Sequence, residues 1–349
     1  FMAIKDFYHG KPWTEWNEDI KHRHQHAVEK FKHDSHKRID FYKFVQYLFY
    51  HQWLELKSYA NINDIKIIGD IPLYVAFDSA DAWANPEIFD FDENLNPKTV
   101  AGVPPDYFSE TGQLWGNPIY KWDKLEESGF QWWIDRIEAN FKLYDLLRID
   151  HFRGLAEYWA VPYGHKTAQQ GRWEPAKGRE MLETIFDTFG ELPIIAEDLG
   201  VITPDVVKLR TDFGLPGMKI LQFAFDTAEE NDFIPHTYDK NCLVYTGTHD
   251  NDTTLGRFLE SSEGEKQLMR DYFRIDESDP AWSFIRLAWS TVANMAVAPM
   301  QDVLRLDSSA RMNFPGKPSG YWRWRYKKEM LTEKHADDLL KLTEIFGRR

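Results

Sequence analysis

The sequence has 349 residues, of which 43% are hydrophobic, and a formal net charge of −14 at pH 7. This length and composition can bury a large core in one domain or two, while the lack of a basic block argues against nucleic acid as a partner. No apolar run reaches the roughly 18 residues that a membrane-spanning helix needs. The single cysteine, Cys242, excludes an internal disulfide framework and favours a reducing compartment, so we predict a cytoplasmic location.

Residues 1–60 predict a helical segment. Its histidines, between residues 22 and 36, lack the spacing of metal ligands, and we interpret them as solvated surface. Apolar side chains then recur at helical spacing and predict one apolar face that packs on the rest of the protein. These side chains are Phe41, Phe44, Val45, Leu48, Phe49, Trp53 and Leu56.

Short apolar strands alternate with helices along the rest of the chain. The predicted strands are 65–71, 146–150, 193–197, 218–224, 242–248 and 296–303. This alternation is typical of parallel βα units, and we expect a (β/α)8 barrel. A doubly wound open sheet is the alternative fold, but the glycine-rich phosphate loop that usually accompanies it is not found. Two stretches, 76–125 and 155–180, lack regular periodicity and predict irregular insertions.

Four of the predicted strands end in a carboxylate or lead directly into one: Asp70, Asp150, Glu197 and Asp250. In a barrel the C-terminal strand ends converge on one face, so these acids are expected to meet there. Side chains two apart share a face of a strand, and Arg148 would therefore hold Asp150 in its ionised form. Glu197 follows an apolar run whose surroundings would keep a carboxyl protonated.

Two kinds of chemistry suit such a group of acids. The first is divalent metal binding, but Arg148 beside Asp150 and His249 beside Asp250 would compete with a cation. The second is cleavage of a glycosidic bond, which requires one ionised and one protonated carboxyl. The many aromatic residues in the insertions also favour a sugar ligand. A purely structural Arg148–Asp150 pair is the simpler alternative for this stretch taken alone.

Several co-linear motifs resemble one known family across essentially the whole chain. They are Ile67-Ile68-Gly69-Asp70-Ile71-Pro72, Trp83-Ala84-Asn85-Pro86, Ala101-Gly102-Val103-Pro104-Pro105-Asp106-Tyr107-Phe108, Gly112-Gln113-Leu114-Trp115-Gly116-Asn117-Pro118, Arg148-Ile149-Asp150-His151-Phe152-Arg153-Gly154, Ala196-Glu197-Asp198-Leu199-Gly200 and Thr246-Gly247-Thr248-His249-Asp250-Asn251-Asp252. The chain resembles glycoside hydrolase family 77, the 4-α-glucanotransferase or amylomaltase family.

The resemblance implies an α/β fold, a TIM (β/α)8 barrel of the α-amylase clan with inserted B subdomains. We expect residues 1–60 to form a helical segment packed on a catalytic barrel of residues 61–349, with subdomain insertions at about 76–125 and 155–180. Members of this family carry further residues before the point where this sequence starts, including the first two barrel strands. The six strands counted here therefore lead us to expect a fragment of a longer protein.

The resemblance also assigns residue roles. It implies that Asp150 is the nucleophile, Glu197 the general acid/base and Asp250 the transition-state stabiliser. The implied substrate contacts are Asp70, Tyr74, Tyr107, Phe108, Trp115, Arg148, His151, His249 and Asn313. Of these, Tyr107, Phe108 and Trp115 lie on the loop that covers the acceptor side in this family. No cofactor and no metal are implied.

The implied function is transfer of α-1,4-glucan segments between maltooligosaccharides or starch- and glycogen-derived glucans by a retaining double displacement. The expected partners are α-1,4-glucans and maltooligosaccharides, with glucose as an acceptor. Three alternatives stay open: an α-1,4-glucan hydrolase of the same clan, a debranching-type transferase, and a non-catalytic glucan-binding fragment.

Overall fold

The structure is a computed structural model that describes residues 1–105, 109–226, 231–317 and 319–348. The chain divides into two compact units, Phe1–Gly214 and Leu215–Arg349. Among the described residues, no helix has the length and apolar character needed to cross a membrane. The predicted helical segment, residues 1–60, lies within the first compact unit. The predicted domain boundary at residue 60 stays a prediction.

The first unit contains both a parallel and an antiparallel sheet. Its helices are α1 (Met2–Phe7), α2 (Glu18–Lys21), α3 (Gln25–Asp34), α4 (His36–Ile62), α5 (Ala80–Ala84), α6 (Trp122–Glu127), α7 (Gln131–Leu143), α8 (Gly178–Phe189) and α9 (Pro204–Asp212). Its strands are β1 (Ile68–Pro72), β2 (Thr99–Val103), β3 (Gln113–Pro118), β4 (Leu146–Asp150), β5 (Glu157–Pro162), β6 (Arg172–Pro175) and β7 (Ile194–Ala196).

The parallel sheet of this unit positions the candidate site. Its strand order is β1-β4-β7, and β4 is the central strand. Leu147 and Ile149 of β4 are fully buried, as are all three residues of β7. Continuous apolar runs of this kind are typical of parallel strands covered on both faces. The predicted strands 65–71, 146–150 and 193–197 are confirmed, although β1 begins only at Ile68.

The two insertions are not irregular, and that prediction is wrong. Strands β2 and β3 of the first insertion pair with β5 and β6 of the second in one antiparallel sheet of order β3-β2-β5-β6. The strands are short and rich in Gly, Pro and polar residues, so their sequence alternation is weak. Gly102 permits their close approach, because a Cβ there would lie 2.5 Å from the carbonyl oxygen of Gln113. The sheet packs on a small core of Val100, Val161 and Ala168.

The expected burial of one apolar face of α4 is also wrong. None of the residues of α4 is buried. Trp53 is half-buried, packs against Tyr144 and donates its indole N–H to the carbonyl oxygen of Leu143 at 2.8 Å. The other six side chains of the predicted face are exposed. Tyr and Phe side chains also occur between the predicted positions, so the helix has apolar residues around most of its circumference.

The second unit has a parallel sheet of order β10-β9-β8. Its strands are β8 (Gly217–Ile220), β9 (Cys242–Tyr245) and β10 (Met295–Val297), and its helices are α10 (Thr254–Glu260), α11 (Glu263–Phe273), α12 (Pro280–Ser290), α13 (Met300–Val303) and α14 (Glu333–Ile345). The predicted strand 296–303 is wrong in its second half, because helix α13 begins at Met300, with Pro299 as its N-cap residue. The predicted strand 218–224 likewise ends at Ile220, and a 3-10 turn follows.

Truncation of Ile149 tests the importance of the β4 core. Its side chain is 0% exposed, and we expect Ile149→Ala to destabilise the first unit by about 2–5 kcal/mol through lost burial and the resulting cavity. Ile62→Ala is the matched control, since Ile62 is 80% exposed and its loss should cost less than about 0.5 kcal/mol. Thermal unfolding followed by circular dichroism measures both, and equal shifts would contradict this description of the core.

Candidate active site

A buried arginine joins two acids on adjacent strands of the first unit. Arg148 on β4 is in register with Asp70 on β1, and Asp150 lies two residues further along β4. The Arg148 Nε donates to Asp70 Oδ1 at 2.9 Å, and Nη2 donates to Asp150 Oδ1 at 2.8 Å. The Arg148 side chain is 9% exposed, whereas the two carboxylates remain 42% and 44% exposed. Both acids are therefore charge-paired yet open to solvent.

The charge of Arg148 is secured by these neighbours. Burial alone would lower the pKa of its guanidinium, but hydrogen bonding to Asp70 and the negative charges of Asp70, Asp150 and Glu197 raise the pKa above its ordinary value. A guanidinium so held favours the anionic form of an adjacent carboxylate. The contact with Arg148 therefore favours the ionised form of Asp150.

Glu197 directly follows β7 and has a different environment. Burial raises the pKa of its carboxyl well above the usual range, and the charge of Asp150 raises it further. Arg148 and the backbone N–H of His151, which donates to Glu197 Oε2 at 2.7 Å, act in the opposite direction. The net direction is the one that the apolar residues of β7 predict: a carboxyl that stays protonated where an ordinary Glu is ionised.

The two acids lie at neighbouring positions of adjacent strands. The Glu197 N–H donates to the carbonyl oxygen of Ile149 at 3.0 Å, which places Glu197 beside Asp150. Neighbouring strands are about 4.7–4.9 Å apart. Retaining glycosidases hold their two carboxyl groups about 5–5.5 Å apart. The strand pairing thus suits a retaining mechanism.

Aromatic side chains surround His151, another of the predicted contacts. Trp115 on β3 meets the His151 ring edge-on, with ring centroids 4.7 Å apart, and is itself 38% exposed. The Tyr74 ring is tilted relative to the His151 ring, with centroids 6.3 Å apart, and Tyr74 is buried; its hydroxyl has no hydrogen-bond partner in the described ranges. The predicted contacts Tyr107 and Phe108 lie outside the described residues.

The second unit holds the fourth acid in a cluster of its own. Asp250 follows β9, and its Oδ1 accepts a hydrogen bond from Asn313 Nδ2 at 2.7 Å. His249 Nε2 lies 3.5 Å from Asp250 Oδ2. Arg311 donates to the backbone carbonyl of Asp250 at 2.7 Å, and Trp322 packs against the His249 ring at 4.9 Å. The structure thus brings the predicted residues His249, Asp250 and Asn313 together within this unit.

A buried acid that the sequence analysis missed anchors this cluster. Asp302 on α13 is 0% exposed and accepts hydrogen bonds from Thr246 Oγ1 and Thr254 Oγ1, both at 2.6 Å. It also accepts one from the Thr254 N–H at 2.8 Å. Thr246 and Thr254 stand at the two ends of the segment that carries His249 and Asp250. The sequence gives no signal for this contact, because Asp302 lies in the stretch 296–303, which is predicted as strand, far along the chain from Thr246 and Thr254.

Among residues 1–105, 109–226, 231–317 and 319–348, no group of three or more His, Cys, Asp or Glu side chains could hold a metal ion. The acids of the first unit instead contact a guanidinium and a backbone N–H.

A charge-paired carboxylate beside a carboxyl of raised pKa, at the C-terminal ends of parallel strands, is typical of enzymes that cleave glycosidic bonds. A family model described as 4-alpha-glucanotransferase, glycoside hydrolase family 77, matches residues 1–332. The 4-alpha-glucanotransferase of Clostridium butyricum is 48% identical over 100% of this chain and 72% of its own length. That of Thermus thermophilus is 49% identical over 100% of this chain and 71% of its own length. The chain therefore belongs to the 4-alpha-glucanotransferase family.

A solved structure agrees with this assignment. The amylomaltase from Streptococcus agalactiae, in complex with acarbose, matches 99% of this chain and 70% of its own length with a TM-score of 0.96 and 42% sequence identity. The predicted fold class, an α/β fold of the TIM-barrel type, is confirmed. The chain spans about 70% of the length of these relatives. It is an enzyme of the type that its family describes.

Loss of Asp302 should loosen the segment that carries Asp250. Asp302→Ala leaves three buried donors without their acceptor, and we expect destabilisation of at least about 2 kcal/mol together with a fall in kcat. Asp302→Asn is the matched control, because it keeps the side-chain shape and one acceptor oxygen and should lie between wild type and the Ala variant. Thermal unfolding and initial rates measure the two effects. An Ala variant equal to wild type in both would show that Asp302 does not hold this segment.

Proposed function

We propose that this protein transfers α-1,4-glucan segments between maltooligosaccharides by a retaining double displacement, with Asp150 as nucleophile, Glu197 as general acid/base and Asp250 as transition-state stabiliser. The observation that carries the proposal is the contrast between two adjacent carboxyls. Arg148 favours the charge of Asp150, while burial raises the pKa of Glu197. One group is suited to attack and the other to proton donation.

In the first step a carboxylate oxygen of Asp150 attacks the anomeric carbon of the donor. A glycosyl–Asp150 bond forms as the glycosidic bond breaks, and Glu197 gives its proton to the departing 4-oxygen. Arg148 favours the anionic form of Asp150 before the attack, and it stays in contact with Asp150 while the carboxylate loses its charge to the new bond. The Asp70 carboxylate, on the other side of Arg148, orients the guanidinium toward Asp150.

In the second step the 4-hydroxyl of an acceptor glucan attacks the same carbon. Glu197, now ionised, takes the hydroxyl proton, the bond to Asp150 breaks and a new α-1,4 bond forms. Two inversions retain the anomeric configuration. The ionised Glu197 is stabilised in the interval by the N–H of His151 and the charge of Arg148.

Asp250 is proposed to hydrogen-bond sugar hydroxyls more strongly as the ring flattens toward the transition state. Interactions that strengthen only there raise kcat. Asn313 and His249 contact opposite oxygens of this carboxylate and would fix its orientation.

Transfer requires that a sugar acceptor outcompete water. The exposed ring of Trp115 offers an apolar face on which a sugar can stack, and Tyr107 and Phe108 are proposed to extend this surface. We propose that Tyr74 and His151 support the same site, and that glucose serves as the smallest acceptor. The acarbose complex of the Streptococcus agalactiae amylomaltase supports an α-glucan ligand here. A cytoplasmic location is proposed on the single cysteine.

Product analysis with maltotriose tests the function and the nucleophile together. We expect glucose and a ladder of longer maltooligosaccharides from wild type, and at least a hundredfold lower rate from Asp150→Asn, which lacks the charged nucleophile. Chromatography of the products measures both. Shorter products alone would identify a hydrolase, binding without any product would identify a glucan-binding protein, and an Asn variant above about one hundredth of the wild-type rate would contradict the role of Asp150.

The pH dependence tests the role of Glu197. The pKa of this carboxyl is raised, so the proton needed for the first step persists to higher pH than the ordinary value of about 4.3 allows. We expect kcat/KM to hold at mildly acid pH and to fall as pH rises through the pKa of Glu197. Glu197→Gln should lose most activity on maltotriose but recover part of the first step on a maltosyl fluoride, measured as fluoride released in the first turnover, because that leaving group needs no proton. Equal losses of the first step on both donors would assign proton donation to another group.

A further inference from the structure

Directly after β4 and β7, the hydrogen bonds between the two chain segments skip one residue beside the site. The Leu147 N–H donates to the Pro193 carbonyl, and the Glu197 N–H donates to the Ile149 carbonyl, both at 3.0 Å. In a regular parallel ladder the N–H of His151 would next donate to the Glu197 carbonyl. The N–H of Phe152 does so instead, at 3.0 Å. His151 is therefore the extra residue of a β-bulge.

The bulge releases one backbone N–H, and this N–H contacts the proposed acid/base. His151 has φ 54° and ψ 47°, a left-handed conformation that is uncommon for residues other than glycine. In this conformation its N–H donates to Glu197 Oε2 at 2.7 Å. The Glu197 backbone is hydrogen-bonded to Ile149 through its N–H and to Phe152 through its carbonyl oxygen. The Glu197 side chain accepts its hydrogen bond from His151, which lies between these two residues in the sequence.

Neighbouring groups hold His151 in this conformation. Its ring is packed by Trp115 and Tyr74. Its carbonyl accepts a hydrogen bond from the Gly154 N–H at 2.9 Å, and a Cβ on Gly154 would lie 2.9 Å from His151 Cδ2. Strained backbone conformations persist where the surrounding structure determines them in this way, and they cluster at active sites.

The imidazole itself is poorly placed to act through charge. Burial and the positive charge of Arg153 lower the pKa of His151 to about 4, so its ring is neutral near pH 7. A neutral ring carries no net charge that could stabilise the ionised form of Glu197. The backbone N–H is the group of His151 that contacts Glu197.

We propose that His151 is a positioning residue for the transfer reaction: its left-handed backbone directs an N–H at Glu197, which orients this carboxyl and stabilises its ionised form after the proton has been given away. The inference rests on the proposed role of Glu197 as acid/base. It assigns to the bulge a function that the side chain of His151 does not supply. The same bulge also places this N–H next to the nucleophile, because Asp150 directly precedes His151.

The other charged groups around Glu197 fix the expected direction. Burial, Asp150 and Asp198 raise the pKa of Glu197, while Arg148 and the His151 N–H lower it. Asp198 is paired with Arg210 at 3.0 Å. A hydrogen bond to a charged group contributes about 1.5–3 kcal/mol, so its loss should raise the pKa of Glu197 by about one unit or more.

Four substitutions of His151 separate backbone from side chain, because all of them remove the imidazole. Glycine and asparagine tolerate the left-handed conformation, alanine less so, and valine least. In the full chain labelled with [13Cδ]glutamate, the Glu197 resonance is assigned by Glu197→Gln and titrated by NMR. We expect His151→Gly and His151→Asn to titrate near wild type, and His151→Ala and His151→Val about one pH unit higher. If the Val variant does not fold, the Gly and Ala variants decide the question.

A matched control and a kinetic readout complete the test. Asp64 also has a left-handed backbone, with φ 57°, and it lies before β1 begins at Ile68. Asp64→Ala carries a comparable backbone cost and should leave the Glu197 titration unchanged. The alkaline limb of kcat/KM on maltotriose should shift in the same order as the titrations.

The outcomes distinguish the inference from the proposed function. Glycine and alanine variants with equal titrations, or an Asp64→Ala variant that shifts as far as His151→Ala, would overturn the inference. A titration series in the expected order in a protein that makes no products from maltotriose would support the inference for the Glu197 carboxyl and would overturn the proposed function.

Discussion

The site of the first unit depends on one buried guanidinium held between two carboxylates. Arg148 is nearly inaccessible to solvent, whereas its partners Asp70 and Asp150 are not. A buried charge without partners is costly, so the two acids are required by Arg148 as much as Arg148 is required by them. The same arrangement favours the anionic form of Asp150 at the end of the central strand β4. The stability of this pair and the proposed reactivity of Asp150 thus depend on the same contact.

Adjacent strands give two similar groups opposite properties. Asp150 lies beside a guanidinium, and Glu197 follows a fully buried strand, so their environments favour different protonation states. The second unit uses a different device, a buried Asp302 that ties both ends of the segment carrying Asp250. In each unit a buried polar side chain, Arg148 in the first and Asp302 in the second, contacts the segment that carries an acid proposed for catalysis.

Local periodicity in the sequence was enough to predict part of this arrangement. The alternation of side chains along 146–150 placed Arg148 and Asp150 on one face, and the apolar run before Glu197 indicated its environment. One error concerns pairing between distant segments, because the shared antiparallel sheet joins two stretches that look irregular separately. Another error is local, because the mostly apolar stretch 296–303 predicts a strand where helix α13 forms. The bulge at His151 and the role of Asp302 depend on hydrogen bonds between residues far apart in sequence, which no local pattern encodes. The family motifs predict the site residues, whereas the hydrogen bonds that position Glu197 become evident only in the structure.

Covalent trapping tests the central claim most directly. Glu197→Gln incubated with a maltosyl fluoride can form the glycosyl–enzyme bond but lacks the base for the second step, so the intermediate should accumulate. Digestion and mass spectrometry should then find a maltosyl mass on the peptide that contains Asp150, and this mass should be absent when Asp150→Asn is added. A maltosyl mass on any other residue, or product formation with no adduct at any time, would contradict the account.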